Sequence, residues 1–201
     1  MWGLALQNSG SLFYDAAVPR GLQRFHESGQ SHFVTFSCYW RRKHLDDPRL
    51  ADISVRNLEQ ARSRFRLRVF GYVVMPEHVH LLISEPENST LARAIQGLKI
   101  SVARAALPLA VAPLWQRRYY DHNVRSHNSF VEKLRYIHRN PVKRGLCATP
   151  LDWNWSSFRH YATAEIGMVE IESQWTANQR ERAAGRLCAK IELPHSSQKQ
   201  A

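Results

Sequence analysis

Two apolar segments separated by Pro76 and Glu77 constrain the fold of this chain more than any other feature. The first, RFRLRVFGYVVM, occupies residues 64–75, and the second, VHLLISE, occupies residues 79–85. A proline and a charged residue between two runs of strand-favouring residues predict a turn between antiparallel strands. Because the second segment is almost wholly apolar, we expect its strand to lie at the centre of a sheet, whereas the first strand has a basic face at its start.

The remaining pattern places further strands and helices around this predicted hairpin. It predicts a strand at 32–40, a helix at 48–64 and a helix at 88–107 that begins at Ser89 or Thr90. A loop or short strand follows in LWQRRYYDHNVR. A last helix is predicted at 128–141, with a capping box at Ser129 and Glu132 and an end at Pro141. The order β-α-β-β-α predicts an α+β domain, a ferredoxin-like antiparallel sheet with helices on one face. The other face would then be open to a ligand.

The charge of the chain narrows the class of partner. Its 201 residues contain 28 Lys and Arg against 17 Asp and Glu, a net charge of +11. This excess favours an anionic partner, with nucleic acid the first choice, although a ribosomal or membrane-surface protein would share it. The longest apolar run, at 103–115, contains two prolines and is too short to span a bilayer. We therefore expect a soluble, cytoplasmic protein without a membrane partner.

Two histidines stand at the start of the second apolar segment: His78 directly precedes it, and His80 is its second residue. Side chains two residues apart in a strand point to the same face, so these imidazoles could share one divalent cation. No cysteine lies near them, and oxygen ligands would therefore complete the site, which suits Mg²⁺ or Mn²⁺. The alternative is a pair of partly exposed strand histidines without a function.

Tyr136 is out of place on the helix predicted at 128–141. The apolar stripe of that helix contains Phe130, Val131, Leu134, Ile137 and His138, and Tyr136 lies well outside it. Asn140 follows Tyr136 by four residues and shares its face. A hydroxyl nucleophile and an amide oxygen could then reach one metal ion, although a surface tyrosine above a basic patch would give the same pattern.

Aromatic and basic residues alternate in two other segments. Trp115, Arg117, Arg118, Tyr119 and Tyr120 combine the residue types that stack on bases and contact phosphates of single-stranded nucleic acid. Tyr119 and Tyr120 also compete with Tyr136 as nucleophiles, but they have no partner at a fixed spacing.

A second candidate surface lies at the start of the strand predicted at 64–75. Arg64, Arg66 and Arg68 alternate there and would share one strand face. They could contact phosphate, or they could form an ordinary solvated strand edge.

The segments MPEHVHLLI, LWQRRYYDHNVRSHNSFVEKLRYIHRNPVKRGL and DWNWSSFRHY together resemble the HUH single-tyrosine transposases. The chain is most similar to the REP-associated tyrosine transposase branch. The resemblance covers residues 22–161 as one domain. An N-terminal arm at 1–21 and a C-terminal extension at 162–201, expected to be partly disordered, lie outside it.

The resemblance implies an enzyme that cleaves and transfers single-stranded or hairpin DNA through a 5′-phosphotyrosine intermediate. It assigns the nucleophile to Tyr136 and the metal ligands to His78, His80 and Asn140. Arg135 and Arg139 surround Tyr136 with positive charge, and we expect them to favour its phenolate and to contact the DNA. The implied cofactor is Mg²⁺ or Mn²⁺, and a monomer is favoured over a homodimer. The alternatives are a non-catalytic DNA-binding module or repressor on the same fold, and a replication initiator or relaxase, which would usually carry a third histidine near the pair.

Overall fold

The predicted hairpin forms at the turn after Met75, but only its second strand lies inside the sheet, and its first strand lies at an edge. A computed structural model describes residues 31–107, 109–110 and 113–184 of the chain. Met75 and His78 are paired at the turn, and the strands run antiparallel from there. The sheet has four strands in the order β2-β3-β1-β4, with β1 at Ser31–Ser37, β2 at Val69–Met75, β3 at His78–Ser84 and β4 at Tyr120–Val124.

Five helices accompany the sheet in the described part of the chain. They are α1 at Pro48–Phe65, α2 at Leu91–Ala106, α3 at His127–Lys143, α4 at Phe158–Thr163 and α5 at Gln174–Ala183. Asp47 and Thr90 begin α1 and α2, because the side chain of each accepts a hydrogen bond from a backbone N–H of the first turn. The order β1-α1-β2-β3-α2-β4 with all pairs antiparallel confirms the predicted α+β, ferredoxin-like class.

Apolar side chains cover both faces of this sheet. Val34 and Leu81 belong to the larger core, which α1 and α2 cover, as expected for helices on one face. Phe33 and Leu82 point the other way, into a second core that also contains Ile137 of α3. The face that was predicted to be open is therefore partly covered by α3, the helix that carries Tyr136.

A glycine lets α3 approach the sheet closely. A Cβ atom added to Gly71 of β2 would lie 2.6 Å from Cδ1 of Leu134 and 3.8 Å from Cδ1 of Ile137. A contact of 2.6 Å is far inside van der Waals distance, so any larger residue would displace the α3 side chains.

The segment 153–157, which contains the Trp-x-Trp-Ser-Ser motif, covers the outer edge of β2. The N–H of Val74 donates to the carbonyl of Trp155 at 2.8 Å, and the N–H of Ser157 donates to the carbonyl of Tyr72 at 3.0 Å. The indole of Trp153 adds a bond of 2.9 Å to the carbonyl of Val74. The motif thus satisfies backbone groups that an exposed strand edge would leave unpaired.

The arginine alternation at 64–68 is not part of a strand, which corrects the prediction. Arg64 belongs to α1, Arg66 ends that helix with a left-handed φ of 50°, and Arg68 precedes β2. The N–H of Arg66 bonds to carbonyls of the last helical turn, so the helical backbone continues past Arg64. A three-residue alternation is too short to distinguish a helix end from a strand start.

Helix α3 extends beyond both predicted ends. The hydroxyl of Ser126, rather than Ser129, caps it by accepting from the N–H of Ser129. Pro141 lies inside the helix and does not end it, because a proline near the last turn removes only one backbone bond. The N–H of Arg144 bonds to the carbonyls of Asn140 and Pro141 and closes the helix.

The ends of the chain are described only in part. The predicted arm at 1–21 and the last residues of the extension at 162–201 lie outside the described residues. Within the described part of the extension, Val169 and Ile171 are buried in the larger core, and Ile171 bridges to Val69 at the start of β2. No helix in the described ranges is long and apolar enough to cross a membrane.

Candidate active site

The two strand histidines meet at their ring nitrogens. Nε2 of His78 lies 2.9 Å from Nε2 of His80, and both residues are buried. Each ring is held from behind through Nδ1: that of His80 lies 2.7 Å from the hydroxyl of Thr35 on β1, and that of His78 lies 3.2 Å from Oε1 of Glu77. The same-face prediction for the pair is confirmed by the register of β3 against β1, where His80 is opposite Thr35 and His78 is opposite Ser37.

The environment of His80 favours its neutral form. Burial is the largest cause that lowers the pKa of His80 well below its ordinary value, and electrostatic contributions from His78, Arg144, Lys133 and Arg41 lower it further. A neutral imidazole with Nδ1 hydrogen-bonded to Thr35 presents the lone pair of Nε2 to the site. The charges of Arg144, Lys133 and Arg41 also make this pocket attractive to an anion.

Tyr136 lies directly against the histidine pair. Its ring centroid is 5.2 Å from that of His80 and 5.8 Å from that of Phe33, and the side chain is 41% exposed. The tyrosine lies off the apolar stripe because α3 crosses the histidine face at the edge of the second core. The hydroxyl group can therefore meet a ligand from solvent while the ring is fixed beside His80.

Glu77 is a site residue that the sequence predictions missed. Its carboxylate accepts hydrogen bonds from Nδ1 of His78 and from the guanidinium of Arg144, which follows the end of α3. Burial alone would raise the pKa of Glu77, but these two partners outweigh burial and lower the pKa to about 2. The signal in the sequence was a glutamate directly before the histidine pair, which we interpreted only as part of the turn.

Asn140 lies one helical turn beyond Tyr136 and is buried. The structure keeps it helical even though a proline follows, and its backbone carbonyl accepts from the N–H of Arg144 at 3.1 Å. Through Arg144 and Glu77, the Asn140 turn is tied to His78. Its assignment as a metal ligand stays a prediction.

The donor set fits a divalent cation. Because the Glu77 carboxylate only accepts, Nδ1 of His78 is the donor in that bond, and the Nε2 atoms of both rings converge with lone pairs available. Two lone pairs 2.9 Å apart repel unless a proton or a cation lies between or beside them. No cluster of three or more His, Cys, Asp or Glu suited to a metal occurs among the described residues. Further ligands would therefore be oxygens from an amide, water or phosphate.

Tyr119 and Tyr120, the alternative candidates for the nucleophile, point to opposite faces of the sheet. Tyr120 is paired with Thr35, which is itself opposite His80, so Tyr120 lies on the histidine face two strands away from the pair. Tyr119 packs against the larger core beneath α1 and α2. Only Tyr120 remains a geometrical competitor for Tyr136.

The predicted nucleic-acid contacts divide into exposed and buried residues. Trp115 is buried, stacks edge-on against Phe36 and donates from its indole to the carbonyl of Lys99. Its ring therefore has no surface for a base, which corrects that prediction; an aromatic residue in a basic segment was mistaken for a surface residue. The exposed members are Arg64, Arg66, Arg68, Arg117, Arg118, Arg135 and Arg139.

The three arginines at 64–68 are distant from the histidine pair. They precede Val69, whereas the pair lies beyond Met75 at the other end of β2. Seven strand residues separate the two ends by about 20 Å. DNA bound at both places would have to extend along the whole sheet.

Together, the fold and the site define a ferredoxin-like domain in which a strand-borne histidine pair meets a helical tyrosine. Residues 26–140 match the family model described as Transposase IS200 like. A Haemophilus influenzae protein whose name assigns it to the REP-associated tyrosine transposases is 31% identical over 121 residues, which cover 54% of this chain and 68% of that protein. The REP-associated tyrosine transposase of Escherichia coli K12 is 26% identical over 164 residues, 81% of this chain and 94% of that protein.

The family model covers more than half of the chain, and the chain therefore belongs to the IS200-like transposase family. A solved structure of a REP-associated tyrosine transposase bound to a REP hairpin has the same fold, with a TM-score of 0.61, 22% identity, and coverage of 75% of this chain and 90% of that one. The resemblance to the REP-associated branch is thereby confirmed, and a role in DNA transposition follows from the family.

Proposed function

We propose that this chain cleaves and rejoins single-stranded DNA beside a hairpin, with Tyr136 as the nucleophile. The observation that carries the proposal is the contact between Tyr136 and His80, whose ring centroids are 5.2 Å apart. A partly exposed tyrosine packed on one of two imidazoles whose Nε2 atoms converge is suited to attack on a phosphodiester held by a cation.

The reaction would be a transesterification. Oη of Tyr136 would form a bond to phosphorus and lose its proton, while the bond from phosphorus to the 3′-oxygen would break and that oxygen would take a proton. The products are a 5′-phosphotyrosine and a free 3′-hydroxyl. One phosphodiester bond replaces another, so the reverse attack by a 3′-hydroxyl rejoins DNA without an external energy source.

His78 and His80, with Asn140, would hold Mg²⁺ or Mn²⁺. When bound, the cation would neutralise charge on the non-bridging phosphate oxygens. Thr35 and Glu77 would keep the two rings in the orientation and tautomer that ligation requires.

The choice of hairpin DNA rests on charge and on the structural relative. The chain carries a net charge of +11, and Arg135 and Arg139 are exposed on the helix that bears Tyr136. The relative of the same fold binds a REP hairpin. Phosphates of a folded DNA would meet these arginines, and the unpaired strand would lie across Tyr136 and the histidine pair.

All of these groups come from one chain. Tyr136 contacts His80 of its own chain, and Arg144 after the end of α3 contacts Glu77 of the same hairpin. One chain carries every group that the proposed cleavage needs, and we propose the monomer as the active unit.

The test is detection of a covalent protein–DNA adduct on a denaturing gel, with hairpin DNAs that carry flanking single strands and with Mg²⁺ or Mn²⁺. Wild type should form the adduct, and Tyr136→Phe and His78→Ala should not. Tyr120→Phe is the matched control, since it removes a hydroxyl on the same sheet face and should retain the adduct. An adduct that persists in Tyr136→Phe and disappears in Tyr120→Phe would reassign the nucleophile. Tight DNA binding without an adduct in any metal would favour the non-catalytic binding module.

A further inference from the structure

Trp40 is the most exposed aromatic residue among the described large hydrophobic side chains, with 72% of its surface accessible. Its backbone is left-handed, with φ 53° and ψ 24°, and Arg41 follows with φ 52°. Two successive non-glycine residues in this region are unusual, and such backbone persists only where the surroundings enforce it. An exposed aromatic ring on an enforced backbone points to a function for the ring.

Backbone hydrogen bonds hold this loop against the histidine hairpin. The N–H of Cys38 donates to the carbonyl of Glu77 at 2.8 Å, and the N–H of Leu45 donates to the carbonyl of Pro76 at 2.9 Å. The N–H of Tyr39 donates to the carbonyl of Leu114 at 2.8 Å. The loop at 38–45 is therefore fixed on both sides to the turn that precedes His78.

Three exposed cations follow the tryptophan directly: Arg41, Arg42 and Lys43. The ring of Tyr39 meets that of Trp40 nearly at right angles, with centroids 5.7 Å apart, and supports it from one side. An exposed indole beside three cations matches the chemistry of a base followed by phosphates.

We propose that Trp40 is a stacking platform for an unpaired base of the DNA strand that enters the histidine–tyrosine site. Arg41, Arg42 and Lys43 contact the phosphates on either side of that base. The identity of the ligand rests on the proposed function, whereas the platform itself rests on the exposure, backbone and position of Trp40. The sequence predictions assigned no role to this segment.

The experiment measures DNA binding without cleavage. Tyr136→Phe protein is titrated into a fluorescein-labelled hairpin with flanking single strands, and anisotropy gives Kd. Trp40→Gly is introduced because glycine accepts the positive φ and keeps the loop while removing the ring. Trp40→Phe keeps a smaller ring. Ile166→Ala is the matched control, since Ile166 is 82% exposed. Ile166 lies in the chain between Tyr161 and Ile171, and both of these residues contact the start of β2. That end of β2 is distant from His78.

Trp40→Gly should weaken binding roughly 5- to 100-fold, the range for loss of one base–aromatic stack, and Trp40→Phe should weaken it less. Ile166→Ala should leave Kd unchanged. A set of DNAs is then tested, each of which lacks the base at one unpaired position. Loss of the base at one of these positions should weaken binding to the parent protein and should have no further effect on Trp40→Gly. That coupling assigns the stacked base.

Equal Kd values for Trp40→Gly and its parent would overturn the platform. If Trp40→Gly instead weakens binding by the same factor for every DNA of the abasic set, the platform is also overturned. Such a result would reflect a general change in the loop or a contact with another class of partner. The result is independent of cleavage: coupling at one position without an adduct in wild type would retain the platform and reject the proposed reaction.

Discussion

Arg144 donates a hydrogen bond to the carboxylate of Glu77, and this bond ties the end of the tyrosine helix to the residue before the histidine pair. The same carboxylate oxygen accepts from Nδ1 of His78. One buried carboxylate therefore orients a proposed metal ligand and also fixes α3, the helix that carries Tyr136. This shared contact helps to set the position of Tyr136, the proposed nucleophile, relative to the histidines.

Glu77→Gln should weaken Mn²⁺ binding about 10- to 100-fold, because a neutral amide holds His78 in the ligating tautomer less firmly than a carboxylate does. Calorimetric titration of the DNA-free protein with Mn²⁺ measures this directly. Arg144→Gln is the matched control: it removes the contact with the end of α3 but leaves the carboxylate on His78, so metal affinity should change less. Equal Mn²⁺ affinity in wild type and Glu77→Gln would remove Glu77 from the site.

Thr35→Val should weaken Mn²⁺ binding by a similar factor, about tenfold or more, through the other histidine. The hydroxyl of Thr35 lies 2.7 Å from Nδ1 of His80, and valine has the same shape without an acceptor. The measurement is again Mn²⁺ affinity, with the imidazole tautomer of His80 followed by nitrogen NMR. Thr35→Ser retains the hydroxyl and should retain both the Mn²⁺ affinity and the His80 tautomer. A Thr35→Val protein that binds Mn²⁺ like wild type would show that Thr35 does not orient His80.

Ser157→Ala should lower the free energy of unfolding by about 1–3 kcal/mol. The Ser157 hydroxyl accepts from the N–H of Tyr72 at 3.0 Å and lies 2.9 Å from Nε2 of His138 on α3, so its loss leaves two buried polar groups unpaired. Urea unfolding of both proteins gives the difference. Ser156→Ala is the nearby control, because the Ser156 hydroxyl makes longer contacts: it donates to the carbonyl of Trp153 at 3.5 Å and accepts from the N–H of Phe158 at 3.2 Å. A Ser157→Ala protein as stable as the Ser156→Ala protein would show that this connection between α3 and β2 contributes little.

The parts of the fold that the sequence predicted are those with an uninterrupted pattern. The apolar strands on either side of Pro76 give the hairpin, and period-2 alternation puts His78 and His80 on one face. Helical spacing isolates Tyr136 from the apolar stripe. These features depend on local geometry, which a sequence carries residue by residue.

The missed features depend on contacts between distant segments. Glu77 gains its role from Arg144, 67 residues later. Trp115 is buried because Phe36 packs against it, although its own neighbours in sequence are basic. Trp40 was assigned to a strand, but hydrogen bonds to Pro76, Glu77 and Leu114 hold its loop in another conformation. No local pattern specifies such partners.

His32 is a buried histidine between two carboxylates, at the opposite end of β1 from the histidine pair. Its Nδ1 lies 2.9 Å from Asp121 on β4, and its Nε2 lies 3.2 Å from Glu85 after β3. Burial is the largest single influence and lowers the pKa of His32, but the hydrogen bonds and charges of the two carboxylates together outweigh it. The pKa is therefore raised above its ordinary value of 6.5.

A raised pKa makes the folded chain bind more protons than the unfolded chain between pH 6.5 and the folded pKa. The contribution of His32 to stability is therefore complete below about pH 6.5 and is lost as the pH rises through the folded pKa. Urea unfolding at a series of pH values from 5.5 to 8.5 measures this effect. The free energy that His32 contributes to unfolding should fall as the pH rises, and His32→Gln should remove this decrease. His122→Gln provides the opposite control, because burial chiefly lowers the pKa of His122 and its contribution grows as the pH rises through the ordinary histidine range. If wild type and His32→Gln differ by the same free energy at every pH, His32 is not protonated between Asp121 and Glu85.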